Sequence, residues 1–379
     1  MRIFYLLFSL YVLGHAYVFL CLRRAFGGGK WQIPVLAWLI AMALSWLWRF
    51  GRPPGPVGER FQDVSLVWMG FFIMLCYCLI ACDLAALLAR TIALVSQLEP
   101  SRRLASFLVA PRYVPLALCA ALLLFAYALY EAQTPRVVSL RLETEKLPSG
   151  SPPLRIVGVA DVHVSSIIGP RMLRRMAARI AEQQPDILVV AGDVVDSDMS
   201  QRAEDARILA SIPADIGKFA VTGNHEFYHG LDNSLSFLEK SGLTVLRGQY
   251  AEAGGIVIAG IDDSAFRSSS EDTTDVMRLL EKVPADRFIL LLNHKPWYPD
   301  AAVGRFDLQF SGHTHSGQFW PGMFVTRRIY GKEQGLNELE QGVRKSLLYI
   351  TNGIGFWGPP IRFLAPPEIV VITLAPHQG

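Results

Sequence analysis

Four long apolar runs in the first 131 residues constrain this chain more than any other feature. They are "IFYLLFSLYVLGHAYVFLCL" (3–22), "WQIPVLAWLIAMALSWLW" (31–48), "VSLVWMGFFIMLCYCLIAC" (64–82) and "VPLALCAALLLFAYALY" (114–130). At about 1.5 Å per residue in a helix, runs of this length reach across a hydrocarbon core. They lack the polar stripe that a buried soluble bundle would show. The whole chain is 51% hydrophobic and 18% charged, with mean hydropathy +0.30, too apolar for one ordinary soluble domain. Residues 1–131 therefore read as a membrane domain of four transmembrane helices, making this a multi-pass cell-membrane protein with the bilayer as its first partner.

The flanks add little about direction. Lys and Arg near the run ends number seven on each side, so the rule that places positive charge in the cytoplasm leaves the orientation open. "CLRRAFGGGK" after the first run offers no small-residue cleavage site, which disfavours a removable signal peptide. Residues 1–130 hold 11 basic and 4 acidic side chains, a balance of +7, and the chain total of +3 leaves −4 on the remainder. A mildly acidic remainder argues against nucleic acid as a partner. All five cysteines lie in or beside the apolar runs, so the rest of the chain has neither a disulfide framework nor a thiolate metal site.

A Pro-marked stretch with "LPSGSPP", residues 132–152, reads as a linker carrying a first strand, and 153–379 as one α/β domain. There "LRIVGVADVH", "DILVVAGDVV", "KFAVTGNHE", "GIVIAGIDD" and "FILLLNHKP" are short apolar strands ending in polar residues, while "GPRMLRRMAARIAEQQP" and "GLDNSLSFLEKSG" have helical spacing. In layered α/β proteins ligands collect outside the carboxyl ends of the strands. Here those ends carry Asp161 and His163, Asp193, Asn224 and His225, His294, and, in "SGHTHSGQ", His313 and His315. Side chains two residues apart in extended backbone share a side, so His313 and His315 can reach one centre. Five of the eight histidines fall in these motifs, a clustering that single-residue explanations (a helix N-cap, a turn, a core histidine) do not produce together.

In order, "DVH", "GDVVD", "GNHE", "NHKP" and "GHTH" resemble the calcineurin-like metallophosphoesterase family over roughly residues 150–375. With four added spans, the chain is similar to the transmembrane proteins that carry such a domain. The resemblance implies a four-layer α/β metallophosphoesterase sandwich preceded by four transmembrane α-helices. It also implies a dinuclear centre. Asp161, His163, Asp193 and His315 would hold one divalent ion, and Asp193, Asn224, His294 and His313 the other, with Asp193 bridging. Ligation by His, Asp and Asn without thiolate suits Mn, Fe or Zn, whose choice stays open. His225 matches the family's catalytic histidine, oriented by Asp196. Tyrosine occupies the Asp196 position in purple acid phosphatases, and arginine the Ser197 position in phosphoprotein phosphatases, so neither subgroup fits.

The expected function is a membrane-anchored phosphoesterase acting on a phosphodiester or pyrophosphate, either lipid-linked or of the cell envelope. A UDP-2,3-diacylglucosamine pyrophosphatase-like enzyme of lipid A synthesis is the alternative within that class. A catalytically silent binding or sensor module is the alternative outside it, disfavoured by the complete ligand set. A transporter is disfavoured because no charged pair lies inside the spans. His229, four residues past His225, reads as a solvated loop histidine, with substrate contact as the alternative, and His15 as a residue packed against a neighbouring helix, with an intramembrane site as the alternative. The aromatics of "FWPGMF" and "GFWGPP" are either loop packing or a lip for an acyl chain.

Overall fold

The computed structural model describes residues 2–49, 56–96, 99–263 and 269–377. The chain divides into two compact units, Met1–Leu129 with Gly358–Pro360, and Tyr130–Trp357 with Ile361–Gly379. The first holds α1 (Arg2–Phe26), α2 (Gln32–Ser45), α3 (Pro56–Ser96), α4 (Glu99–Phe107) and most of α5 (Ala110–Ala132). Each of the four apolar runs is helical. Among the described residues three helices, α1, α3 and α5, are long and apolar enough to cross a membrane. The second run differs from expectation because its helix stops at Ser45 and passes into a 3-10 turn, Trp46–Arg49. Fourteen residues span only about 21 Å, short of a hydrocarbon core.

His15 is buried in this unit. Its Nδ1–H donates to the Tyr11 carbonyl at 2.8 Å, its Nε2 accepts from Trp68 Nε1–H at 3.0 Å, and its ring stacks on Phe72. Both nitrogens are satisfied, so it is a packing residue.

The second unit begins with β1 (Arg136–Thr144), β2 (Leu154–Val159), α6 (Pro170–Ala181), β3 (Ile187–Ala191), α7 (Ala203–Ala210) and β4 (Gly217–Val221). It continues through α8 (Asn224–Tyr228), α9 (Leu231–Lys240), β5 (Thr244–Val245), β6 (Gln249–Ala253), β7 (Ile256–Gly260) and α10 (Ser269–Leu280). The remainder is β8 (Ile289–Leu292), β9 (Leu308–Ser311), α11 (Gly322–Tyr330), β10 (Gly335–Gln341), β11 (Arg344–Ile350) and β12 (Glu368–Pro376). One six-stranded sheet has the order β1-β12-β2-β3-β4-β5, the other β10-β11-β9-β8-β7-β6. Strands β2, β3 and β4 run parallel, as do β7, β8 and β9. Their continuous apolar sequences follow from that, since parallel strands are covered on both faces.

Three layers of core hold the sandwich. Ile156, Val189, Val221, Ile258, Leu290 and Phe310 interlock between the sheets. Gly158 is required there, because a Cβ would lie 2.6 Å from the Phe310 ring. Emptying that space by Phe310→Ala costs about 3–5 kcal/mol. Helix α6 shows how sequence selects the outer layers. Leu173, Met176, Ala177 and Ile180 recur at helical spacing and are buried, the intervening arginines face out, and Pro170 occupies the first turn. Helices α6, α7 and α9 cover the first sheet and α10 the second. The order is helix, sheet, sheet, helix, the four layers that the resemblance implies.

Candidate metal centre

The carboxyl ends of the parallel strands of both sheets deliver polar residues to one place. Asp161 and His163 follow β2, Asp193 follows β3 and Asn224 follows β4. His294 follows β8, and His313 and His315 follow β9. Asp161, His163 and His315 form one set whose ligand atoms lie within 4.8 Å of one another, and Asp193, His294 and His313 form another. His163 Nε2 is 3.0 Å from His315 Nε2, and His315 Nε2 is 3.4 Å from Asp161 Oδ1. On the other side His294 Nε2 is 3.1 Å from Asp193 Oδ2 and 3.2 Å from His313 Nδ1. Asp193 Oδ2 is also 3.9 Å from His163 Nε2, so this carboxylate touches both sets.

The backbone bends sharply to achieve this. Asp161, His163, Asp193, His313 and His315 all have φ between 50° and 69°. Left-handed backbone is uncommon for residues other than glycine, and its clustering marks a site where geometry outranks local stability. Nothing in the sequence signals it.

The donors fit divalent cations. Asp161, His163, His294 and Asp193 are almost wholly buried. His294 Nδ1–H donates to the Ala191 carbonyl at 2.7 Å, which aims Nε2 at Asp193 and His313. Burial opposes a second proton on His294, yet the Asp193 carboxylate outweighs it and pushes its pKa up to about 10. A cation would replace that proton. Burial, reinforced by the neighbouring His225, holds His163 down at about 3, and burial with His294 does the same for His313. Both are therefore neutral with a lone pair to offer. Asn224 Oδ1 and His163 Nδ1 are buried without a hydrogen-bond partner, an expensive condition that a ligand at Asn224 would relieve.

Beside these sets, Asp196 Oδ1 lies 2.8 Å from His225 Nδ1 and 3.2 Å from His229 Nε2. The reading of His229 as a solvated loop residue does not hold: its side chain is only 11% exposed and is bound to Asp196. Burial works against the imidazolium of His225, but Asp193 and Asp196 outweigh it and raise its pKa to about 9.

Two supporting residues have roles that motif reading did not assign, although Glu226 closes "GNHE". Glu226, wholly buried, accepts from the amides of Gly223 (2.6 Å), Val194 (2.8 Å), Asp193 (3.1 Å) and Val195 (3.2 Å), tying the β3 and β4 loops together. Arg362, also wholly buried, donates to the carbonyls of His315 (2.8 Å) and Asn352 (2.8 Å), and to His315 Nδ1 at 2.9 Å. Trp357 and Tyr330 flank the centre, with ring centroids 6.0 Å from His225 and 5.9 Å from His313. Of the aromatics in the two loops, Trp357 borders the site, and Trp320, Phe324 and Trp357 are exposed.

The calcineurin-like phosphoesterase family matches residues 154–317. An uncharacterized metallophosphoesterase of Aquifex aeolicus is 38% identical over 257 residues, 67% of this chain and 97% of its own length. A transmembrane protein with metallophosphoesterase domain from Danio rerio is 27% identical over 398 residues, 98% of this chain and 89% of its own. An uncharacterized metallophosphoesterase of Campylobacter jejuni is 33% identical, and the chain spans 64% of its length. Among solved structures, a dimetal phosphatase from Danio rerio has 14% identity and a TM-score of 0.33, over 59% of this chain and 99% of that one.

Proposed function

Because the chain belongs to the calcineurin-like metallophosphoesterase family, we propose that it hydrolyses a phosphodiester or pyrophosphate, and that the substrate is lipid-linked. The observation that carries the catalytic reading is the convergence of both sheets' strand ends on two buried donor sets joined by Asp193. Asp161, His163, Asp193 and His315 would hold one divalent ion, and Asp193, Asn224, His294 and His313 the other. Such a pair supplies Lewis-acid charge for the phosphoryl oxygens and acidifies a water. His225 has its Nδ1 occupied by Asp196, which leaves Nε2 to give a proton to the departing oxygen. Asp196 fixes the ring and favours its charged form.

The lipid-linked part rests on the rim. Among its side chains whose burial is described, α11 buries none, and it exposes Phe324, Val325 and Ile329, with Trp320 just before it and Tyr330 beside His313. An apolar surface at the mouth of a phosphoesterase site suits an acyl chain. The long apolar helices would keep the site near such substrates.

The test uses full-length protein in detergent. It should hydrolyse an aryl phosphodiester, lose activity in chelator, and regain it with Mn, Fe or Zn. In vesicles it should prefer a lipid-linked pyrophosphate to its water-soluble headgroup analogue. Equal turnover with and without metal sinks the catalytic reading, and equal rates on the two substrates sink the lipid reading. Reporter fusions at the carboxyl end would fix the side of the membrane.

A further inference from the structure

Asp196, His225 and His229 form a further group of possible metal donors, with Asp196 Oδ1 2.8 Å from His225 Nδ1 and 3.2 Å from His229 Nε2, while His225 also groups with His163 and Asp193. We propose that this group is a separate zinc site, and that zinc bound there inhibits the enzyme by occupying the nitrogen through which Asp196 orients His225. The inhibitory half rests on the role given to His225 above. The site itself does not.

The chemistry is that of an open zinc site: two imidazoles and one carboxylate, with room for water as the fourth ligand. Tetrahedral zinc with bonds of about 2.0–2.1 Å needs its ligand atoms roughly 3.3 Å apart. Here the Asp196 oxygen is 2.8 Å from one nitrogen and 3.2 Å from the other, so two of the three separations lie near that value. The side chains are 8%, 16% and 11% exposed for His225, Asp196 and His229. The group is thus held firmly yet open to an ion from solution. His225 and His229 lie one helical turn apart along α8 and its C-cap, a spacing that puts both on one face. Asp196 arrives from the loop after β3.

Binding displaces one proton, that on His225 Nδ1, to solvent. His229 coordinates through Nε2 once its own proton sits on Nδ1. With zinc on Nδ1 the His225 ring is held by the ion and no longer by Asp196. None of Asp196, His225 and His229 is among the seven ligands assigned to the dinuclear centre, so filling this group should leave that centre loaded.

The experiment compares full-length wild type with His229→Gln, both first loaded with Mn and then titrated with zinc. Total bound metal is measured after dialysis. The difference between the two proteins is read, so zinc on the five cysteines cancels. Wild type should take up one ion more than H229Q, and zinc-edge anomalous scattering should place that ion between His225 and Asp196. Its uptake should depress aryl phosphodiester hydrolysis by about 10²-fold or more, the loss expected for an acid catalyst, while H229Q keeps its activity over the same range. Equal zinc uptake by the two proteins overturns the site. An extra ion in wild type without inhibition overturns the regulatory half alone. Unchanged Mn content in H229Q certifies that the variant is folded, and the metal count decides even if no ester is hydrolysed.

Discussion

His225 Nδ1 sits 2.8 Å from Asp196 Oδ1, on the side of the ring remote from the leaving group in the proposed reaction. A carboxylate in that position orients an imidazole and stabilises its charge without touching substrate. His225→Ala should therefore keep both ions and lose about 10²–10⁴-fold in rate, whereas Asp193→Ala should lose metal and rate together. Metal analysis of the two variants separates them, and an empty centre in H225A would make His225 a ligand.

The same pair sets a pH limb. With its pKa raised to about 9, His225 is charged below that pH, and the rate should fall as pH rises through it. Cations in the centre move the limb lower. Asp196, held low by His225 and His229 against the effect of burial, remains ionised throughout. Asp196→Asn removes the stabilising charge, so the alkaline limb should shift to lower pH. A pH–rate profile with an unmoved limb would contradict this.

Arg362 should matter to metal binding although it is no ligand. It donates to the carbonyls of His315 and Asn352, each at 2.8 Å, and so anchors the turn that presents His315 to the centre. Arg362→Met should weaken binding by roughly 10–100-fold, the usual cost of losing an outer partner. Isothermal titration with Mn measures it.

Gly223 leaves no space for a side chain: a Cβ there would lie 2.7 Å from Asp193 Cγ. Gly223→Ala should displace the shared carboxylate and empty the centre while the sheets, whose cores lie elsewhere, stay folded. Circular dichroism with metal analysis checks both halves.

The α/β half was largely legible because each strand carries its polar residues directly after its apolar run, as "DILVVAGDVV" and "FILLLNHKP" do. The donors are local features of that kind. Their supports are not. Glu226 and Arg362 act across 32 and 47 residues of chain, and no spacing rule connects such pairs. The left-handed backbone at Asp161 and His313 was equally hidden, because Asp and His, although enriched there, adopt it at only a small minority of their positions. The second apolar run misled on length, since apolar composition continues through Trp46–Trp48 while the α-helix does not.

Asp161, His163, Asp193 and Asn224 belong to one sheet, and His294, His313 and His315 to the other. The centre therefore exists only while the two sheets are seated on each other. By mass action, each ion that binds only the folded state adds stability, about 2.7 kcal/mol at a hundred times its dissociation constant. Melting temperature thus becomes an assay of occupancy that needs no substrate. It should rise with metal, fall in chelator, and respond less to metal in Asp193→Ala than in His225→Ala.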